Sequence, residues 1–127
     1  MIFVDTNVFI YAVGREHPLK SEARGVFEQA VADPGRMLVT SAEVLQELLH
    51  VYWPVQRMRA LHSALELVQR TIREVWSIEP EDVYTAIDMA ASHSNLGARD
   101  LIHLACCQRR GIGEIRTFDR ALKAAFD

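Results

Sequence analysis

Four short apolar runs alternate with longer helical segments along this chain, and that alternation restricts the fold more than any other feature. The runs are three or four residues long and lie at Ile2–Val4, Met37–Val39, Val75–Ile78 and Ile115–Phe118. Each is too short for a buried helix and has the composition of a strand buried on both faces. Strands that alternate with helices form a parallel sheet covered by helices on both faces. We therefore predict an α/β fold with four short parallel strands.

The segments between these runs carry the spacing and the boundary residues of helices. Apolar residues recur three and four positions apart after His17-Pro18, and Asp33-Pro34-Gly35 predicts where that helix ends. Asn7 is the predicted cap of a short first helix that ends at Gly14. The remaining helices are predicted from Thr40 to Pro54, from Val55 to Arg73, from Pro80 to about His93, from Leu101 to Arg110, and after Asp119.

Length and composition indicate one ordinary globular domain spanning residues 1–127. Half of the residues are hydrophobic and 24% are charged, as in typical globular proteins. No apolar stretch is long enough to span a membrane, and Met1 is not followed by the basic lead of a signal peptide. We expect a cytoplasmic protein with no membrane partner. The net charge of −3 argues against binding a polyanion through bulk charge alone.

Four carboxylates occur where such a sheet would bring them together. Asp5 follows the first strand, Asp119 follows the fourth, Glu47 lies two turns into the helix after the second strand, and Asp100 begins the buried helix. Ligands of open α/β sheets bind beyond the carboxyl ends of the strands. Asp5 stands between two apolar segments, where a carboxylate is costly unless it is paired, capped or bound to a metal. The placement therefore predicts an acidic site at this edge.

Taken singly, three of these acids have a structural interpretation. Asp119 can cap the last helix, and Asp100 suits the first turn of a helix. Asp5 can begin an Asx turn. Only the joint placement of the acids favours a functional role.

The helix after the second strand carries two glutamates with different predicted roles. Thr40 and Glu43 have the spacing of a capping box, which gives Glu43 a structural role. Glu47 has no such partner and lies at the margin of the apolar stripe. We therefore predict that Glu47 is the functional glutamate.

The residue types indicate which ion such a site would bind. Oxygen ligands without a thiolate or histidine cluster suit Mg²⁺ or Mn²⁺. These ions bind phosphate oxygens and activate water, as in two-metal nucleases. Cys106 and Cys107 are adjacent and read as small core residues, and His103 is interpreted as structural or at the surface, since a metal-bound water needs no histidine base.

Four segments, VDTNVFIYA, TSAEVLQELLH, GARDLIHLACC and RTFDRAL, resemble in this order the four acidic motifs of PIN-domain nucleases. More narrowly, the chain resembles the VapC toxins of bacterial toxin–antitoxin pairs. The resemblance spans nearly the whole chain. It implies a PIN-like three-layer sandwich and an endoribonuclease that depends on Mg²⁺ or Mn²⁺. It also implies a homodimer that a cognate VapB antitoxin neutralises.

The same resemblance assigns roles to individual residues. It implies that the acidic ligands are Asp5, Glu47, Asp100 and Asp119, with Asn7 and Thr117 as supporting polar residues. Many relatives continue into a fifth short strand, whereas this sequence ends at Asp127, so the choice between four and five strands stays open. Arg99, next to Asp100, is the candidate to contact a phosphate of the RNA substrate.

Two other functions remain as alternatives. A phosphatase with Asp5 as nucleophile would carry a second acid two residues later, but position 7 is Asn. A catalytically silent PIN-fold binding module would have lost an acid, and all four are present.

Overall fold

A central parallel sheet organises the computed structural model, which describes residues 1–127. Its strands and helices are, in chain order, β1 (Ile2–Val4), α1 (Thr6–Val13), α2 (Lys20–Ala32), β2 (Leu38–Ser41), α3 (Ala42–Tyr52), α4 (Met58–Thr71), β3 (Ile72–Trp76), α5 (Pro80–Met89), α6 (Ala98–Arg109), β4 (Ile115–Arg116) and α7 (Arg120–Phe126). A single 3₁₀ segment, Ala90–His93, continues α5. None of the helices combines the length and the apolarity that a membrane crossing requires.

The sheet has four strands in the order β3-β2-β1-β4, all of them parallel. β1 is central and fully buried, and Phe3 pairs with Val39 on one side and with Ile115 on the other. Helices α1, α2 and α4 pack on one another, as do α5 and α6, while α3 contacts members of both groups. The predicted parallel α/β fold is therefore confirmed, and the sheet has four strands without a fifth.

Several predicted boundaries are wrong because strand pairing extends further than the apolar runs suggest. β2 continues to Ser41, so Thr40 lies in a strand and does not start α3. Its hydroxyl donates to the carbonyl of Val4 at 2.9 Å, which joins β2 to β1. β3 spans Ile72–Trp76, so it begins three residues before the predicted start at Val75. The ends of these strands depend on backbone hydrogen bonds to residues distant in the sequence, which a local apolar pattern does not reveal.

An ion-pair network around a buried carboxylate, which the sequence did not lead us to expect, joins α5 to α6 and β3. Asp82 is fully buried and accepts hydrogen bonds from Arg109, from Arg110 and from the backbone N–H of Glu79. The Arg110 guanidinium lies over the Trp76 ring, 4.8 Å from its centre. Burial acts to raise the pKa of Asp82, but the hydrogen bond from the Glu79 backbone and those from the two arginines outweigh it and hold the pKa below its usual range.

We expect Asp82→Asn to destabilise the protein by about 2 kcal/mol, because the neutral amide cannot replace the hydrogen bonds that the fully buried carboxylate accepts from Glu79, Arg109 and Arg110. Urea denaturation measures the change. Asp88→Asn, an exposed carboxylate on the same helix, is the matched control and should change stability by less than about 0.5 kcal/mol. Equal stability of the two variants would mean that the network contributes nothing to folding.

Candidate active site

Asp5 anchors the site at the carboxyl end of β1. The residue caps α1 and is only 4% exposed. Oδ1 accepts the backbone N–H of Thr6 at 2.7 Å, and Oδ2 accepts the hydroxyl of Thr117 at 2.7 Å. The cap of α1 is therefore Asp5, and the prediction that Asn7 serves as the cap is wrong. Asp5 is a side-chain cap and a member of the acidic edge at once.

Asn7 and Thr117 join the first helix to the loop after β4. The Asn7 carbonyl oxygen accepts the backbone N–H of Phe118 at 3.2 Å, and its amide donates to the Thr117 hydroxyl at 3.4 Å. The same hydroxyl oxygen accepts the backbone N–H of Asp119 at 3.0 Å. These contacts fix the loop that carries Asp119 against the start of α1.

Asp119 has the capping role that its position predicted. It caps α7, and its Oδ1 accepts the backbone N–H of Leu122 at 3.1 Å. Oδ2 takes no part in this cap. A structural role and a ligand role are therefore compatible in this residue.

Glu47 on α3 and His103 on α6 meet beside Asp5. Nε2 of His103 lies 2.7 Å from Oε1 of Glu47 and 3.5 Å from Oδ1 of Asp5. One ligand-type atom from each of the three residues lies within 4.8 Å of the others. His103 is fully buried. We did not expect this histidine at the site; the available signal was its position three residues after Asp100, on the same face of one helix.

Asp100 shares the negative charge of the other acids. Burial raises the pKa of Asp100 to about 6, and the charges of Asp5, Asp119 and Glu47 add to that increase. The four predicted carboxylates therefore act on one another, although Asp100 and Asp119 lie outside the tight cluster of Asp5, Glu47 and His103.

His103 affects the pKa values of Asp5 and Glu47 to different extents. Burial raises the pKa of Asp5 above its ordinary value, and the opposing effect of His103 is smaller. Burial also acts to raise the pKa of Glu47, but the hydrogen bond and charge of His103 outweigh it, so that pKa is lowered. Burial acts to lower the pKa of His103, yet its bond to Glu47 and the nearby carboxylates raise it.

Glu43 lies beside the site, and its predicted capping box is absent. Ser41 precedes α3 and makes no side-chain cap, while Thr40 is committed to the sheet. The Glu43 carboxylate instead lies 3.7 Å from Nε of Arg99. Burial raises the pKa of Glu43, and the charge of Glu47 raises it further. Glu43 therefore contributes negative charge at the margin of the site.

The donor set fits a hard divalent cation. Buried or half-buried carboxylates from separate elements lie at one edge of the sheet. Burial is the main cause of the raised pKa values of Asp5 and Asp100, and the charges of neighbouring carboxylates add to it. A cation bound among them would relieve that repulsion, and oxygen donors are the ligands that Mg²⁺ and Mn²⁺ prefer.

Asp100 should make metal-free stability fall with rising pH. Its folded pKa, about 6, exceeds the ordinary value of 3.8, so the folded state keeps a proton that the unfolded chain releases. The stability that Asp100 contributes is complete below pH 3.8 and is lost as the pH rises to about 6. We expect the stability of Asp100→Asn to lack this part of the decrease with rising pH.

Urea denaturation in excess chelator across that pH interval measures the slope. Asp88→Asn is again the control, and its curve should run parallel to that of the wild type. If the stability of Asp100→Asn also changes with pH in parallel to that of the wild type, the pKa of the Asp100 carboxyl group is not raised in the folded protein.

Comparison with known proteins identifies the family. Residues 2–126 match the PIN domain family. The ribonuclease VapC23 of Mycobacterium tuberculosis is 56% identical over 126 residues, which cover 99% of this chain and 98% of that protein. The ribonuclease VapC13 of the same organism is 39% identical over 120 residues, 94% of this chain and 91% of that one.

A solved structure agrees with the sequence relatives. The crystal structure of M. tuberculosis VapC20, described as a sarcin-ricin loop cleaving toxin, matches with a TM-score of 0.81 over 98% of this chain and 95% of that chain. At 20% identity this likeness shows the fold. The match to nearly the whole chain, together with relatives of this similarity, leads to one conclusion: the chain belongs to the PIN-domain family and, within it, to the VapC ribonucleases.

Proposed function

We propose that this chain is the toxin of a type II toxin–antitoxin pair and that it cleaves RNA phosphodiester bonds with Mg²⁺ or Mn²⁺. The observation that carries the proposal is the placement of Asp5 and Glu47 in one tight cluster at the carboxyl edge of the sheet, with Asp100 and Asp119 close enough for their charges to interact. Such a cluster destabilises the metal-free protein, so a ligand of opposite charge gives a reason for its presence.

Asp5, Glu47, Asp100 and Asp119 are the proposed ligands of the ion. When bound, a divalent cation lowers the pKa of a coordinated water and neutralises charge that develops on phosphate oxygens. The Thr6 N–H and the Thr117 hydroxyl orient the two oxygens of Asp5. Asn7 holds the loop that carries Asp119. Thr117 and Asn7 therefore have a supporting role in this proposal.

Arg99 is the proposed contact for an RNA phosphate. Its side chain is 43% exposed, and Arg99 directly precedes the proposed ligand Asp100 in the sequence. Its ion pair with Glu43 spans 3.7 Å, which is too long for a direct hydrogen bond. A phosphate that offers two oxygens would form a stronger pair with the guanidinium.

A VapB-type antitoxin and a second copy of the chain are the proposed protein partners. Patches of exposed apolar side chains often mark protein interfaces. They occur on the end of α3 and the following turn, and on α5, at Leu49, Val51, Trp53, Val55, Val83, Tyr84 and Ile87.

Cleavage should require the metal and leave defined ends. Purified protein with total RNA and Mg²⁺ or Mn²⁺ should produce 5′-phosphate and 3′-hydroxyl ends, because activated water attacks phosphorus in place of the ribose 2′-hydroxyl. Adaptor ligation to each end measures this. Undiminished cleavage in excess chelator, or 2′,3′-cyclic phosphate ends, would exclude the proposed chemistry. A phosphomonoester substrate in parallel tests the phosphatase alternative and should remain intact.

The two glutamates of α3 should differ in function. Glu47→Gln removes a proposed ligand and should lower RNA cleavage by about 100-fold or more, since even residues that only support metal ligands cost 10- to 100-fold. Glu43→Gln is the matched control, because its carboxylate faces Arg99 outside the tight cluster; we expect a loss below about tenfold.

Cleavage rates and growth after induction, at equal levels of folded protein, measure both variants. If Glu43→Gln rescues growth and Glu47→Gln does not, the assignment of the second acidic ligand is wrong.

A further inference from the structure

His103 belongs to the tight cluster with Asp5 and Glu47, but the proposed ligand set does not include it. It lies on α6 one turn after Asp100, and none of its side chain is exposed. Its Nε2 is 2.7 Å from Oε1 of Glu47 and 3.5 Å from Oδ1 of Asp5. Its Nδ1 is buried and has no hydrogen-bond partner. The polar contacts of this ring therefore go only to two carboxylates of the site.

Packing fixes the ring but does not explain why it is a histidine. The ring lies 5.4 Å from the Phe3 ring of β1, and Phe3 in turn stacks on Trp76 of β3 at 5.9 Å. An apolar side chain of similar size would fill this space without burying an unpartnered nitrogen, which is costly. The choice of histidine must therefore depend on what Nε2 does.

The geometry at Nε2 is that of a hydrogen-bond donor. A distance of 2.7 Å is typical of a charge-assisted N–H to carboxylate bond, and the carboxylate has no proton to give when ionised. Nε2 carries the proton both in the imidazolium and in the neutral Nε2–H tautomer. A nitrogen that carries this proton has no lone pair for a metal ion.

We propose that His103 is a positioning residue that donates from Nε2 to Oε1 of Glu47 and leaves Oε2 for the divalent cation. This inference rests on the proposed function, since it assumes that Glu47 binds the ion. Glu47 lies on α3 and His103 on α6, 56 positions apart, so the bond also holds the two helices in one relative position at the site. Without the donor, the Glu47 side chain would have to be ordered by the ion itself, at a cost in conformational entropy.

The consequence is a loss of metal affinity when the donor is removed. Residues that orient metal ligands typically contribute 10- to 100-fold to affinity. Because His103 acts through Glu47, the loss should be similar for Mg²⁺ and Mn²⁺. A nitrogen ligand would instead favour Mn²⁺ over Mg²⁺.

The test measures Mn²⁺ and Mg²⁺ binding to the full chain by titration calorimetry, without RNA. We expect His103→Leu to lower the affinity for both ions by about 10- to 100-fold. His103→Gln should bind within about threefold of the wild type, because its amide N–H can occupy the position of Nε2 and restore the donor. His103→Asn, with a shorter side chain that cannot reach Glu47, should behave like His103→Leu and serves if the leucine variant fails to fold.

A second measurement separates a positioning residue from a ligand. Electron spin echo modulation of bound Mn²⁺ should show no directly coordinated nitrogen in the wild type. Val68→Ala, a buried position on α4, is the control for general loss of stability; it should lower the melting temperature and leave the binding of both ions unchanged.

Distinct results would overturn the inference. Wild-type affinity in His103→Leu or His103→Asn would make His103 a packing residue. A loss in His103→Gln as large as in His103→Leu would exclude the donor role. A nitrogen signal in the wild type that disappears in His103→Leu would make His103 a ligand. If the wild type binds neither ion, the proposed metal-dependent function fails, and the inference fails with it.

Discussion

The negative charge of Asp5 at the end of the central strand is the constraint on which the rest of the site depends. β1 pairs on both sides, so the residue that follows it, Asp5, must emerge at the middle of the carboxyl edge, in a place that is almost closed to solvent. A carboxylate there needs donors. It takes one from the start of α1 and one from Thr117 after β4. These two bonds fix where α1 begins and how the loop toward α7 returns to the sheet.

The remaining acids then accumulate around a charge that is already buried. Burial raises the pKa of Asp100, their repulsion raises it further, and the charge of His103 offsets only a part of the increase. The protein thus keeps an unfavourable local arrangement that the surrounding core maintains. That core includes Phe3, which packs against the His103 ring. Unfavourable groups held by a well-packed framework are typical of functional sites.

The two incorrect capping predictions share one physical cause. Thr40 and Glu43 have the spacing of a capping box, but the Thr40 hydroxyl bonds across the sheet to Val4. Asn7 is a residue type that often caps helices, but Asp5 accepts the first free N–H of α1. Asn7 instead accepts the backbone N–H of Phe118. In both cases a long-range partner was available and displaced the local one. Local capping patterns describe a residue's options, and tertiary contacts select among them.

The sequence by itself determined the order of strands and helices, the parallel sheet, and the positions of the acidic residues at its carboxyl edge. Those features follow from periodicity and from the placement of charges after apolar runs, which are local properties. Only the tertiary structure decided which side chains meet. The bond from Thr117 to Asp5 joins residues 112 positions apart, and the pair of His103 with Glu47 joins two different helices. Such partners depend on strand register and on helix packing, because a one-residue shift in either moves a side chain to another face.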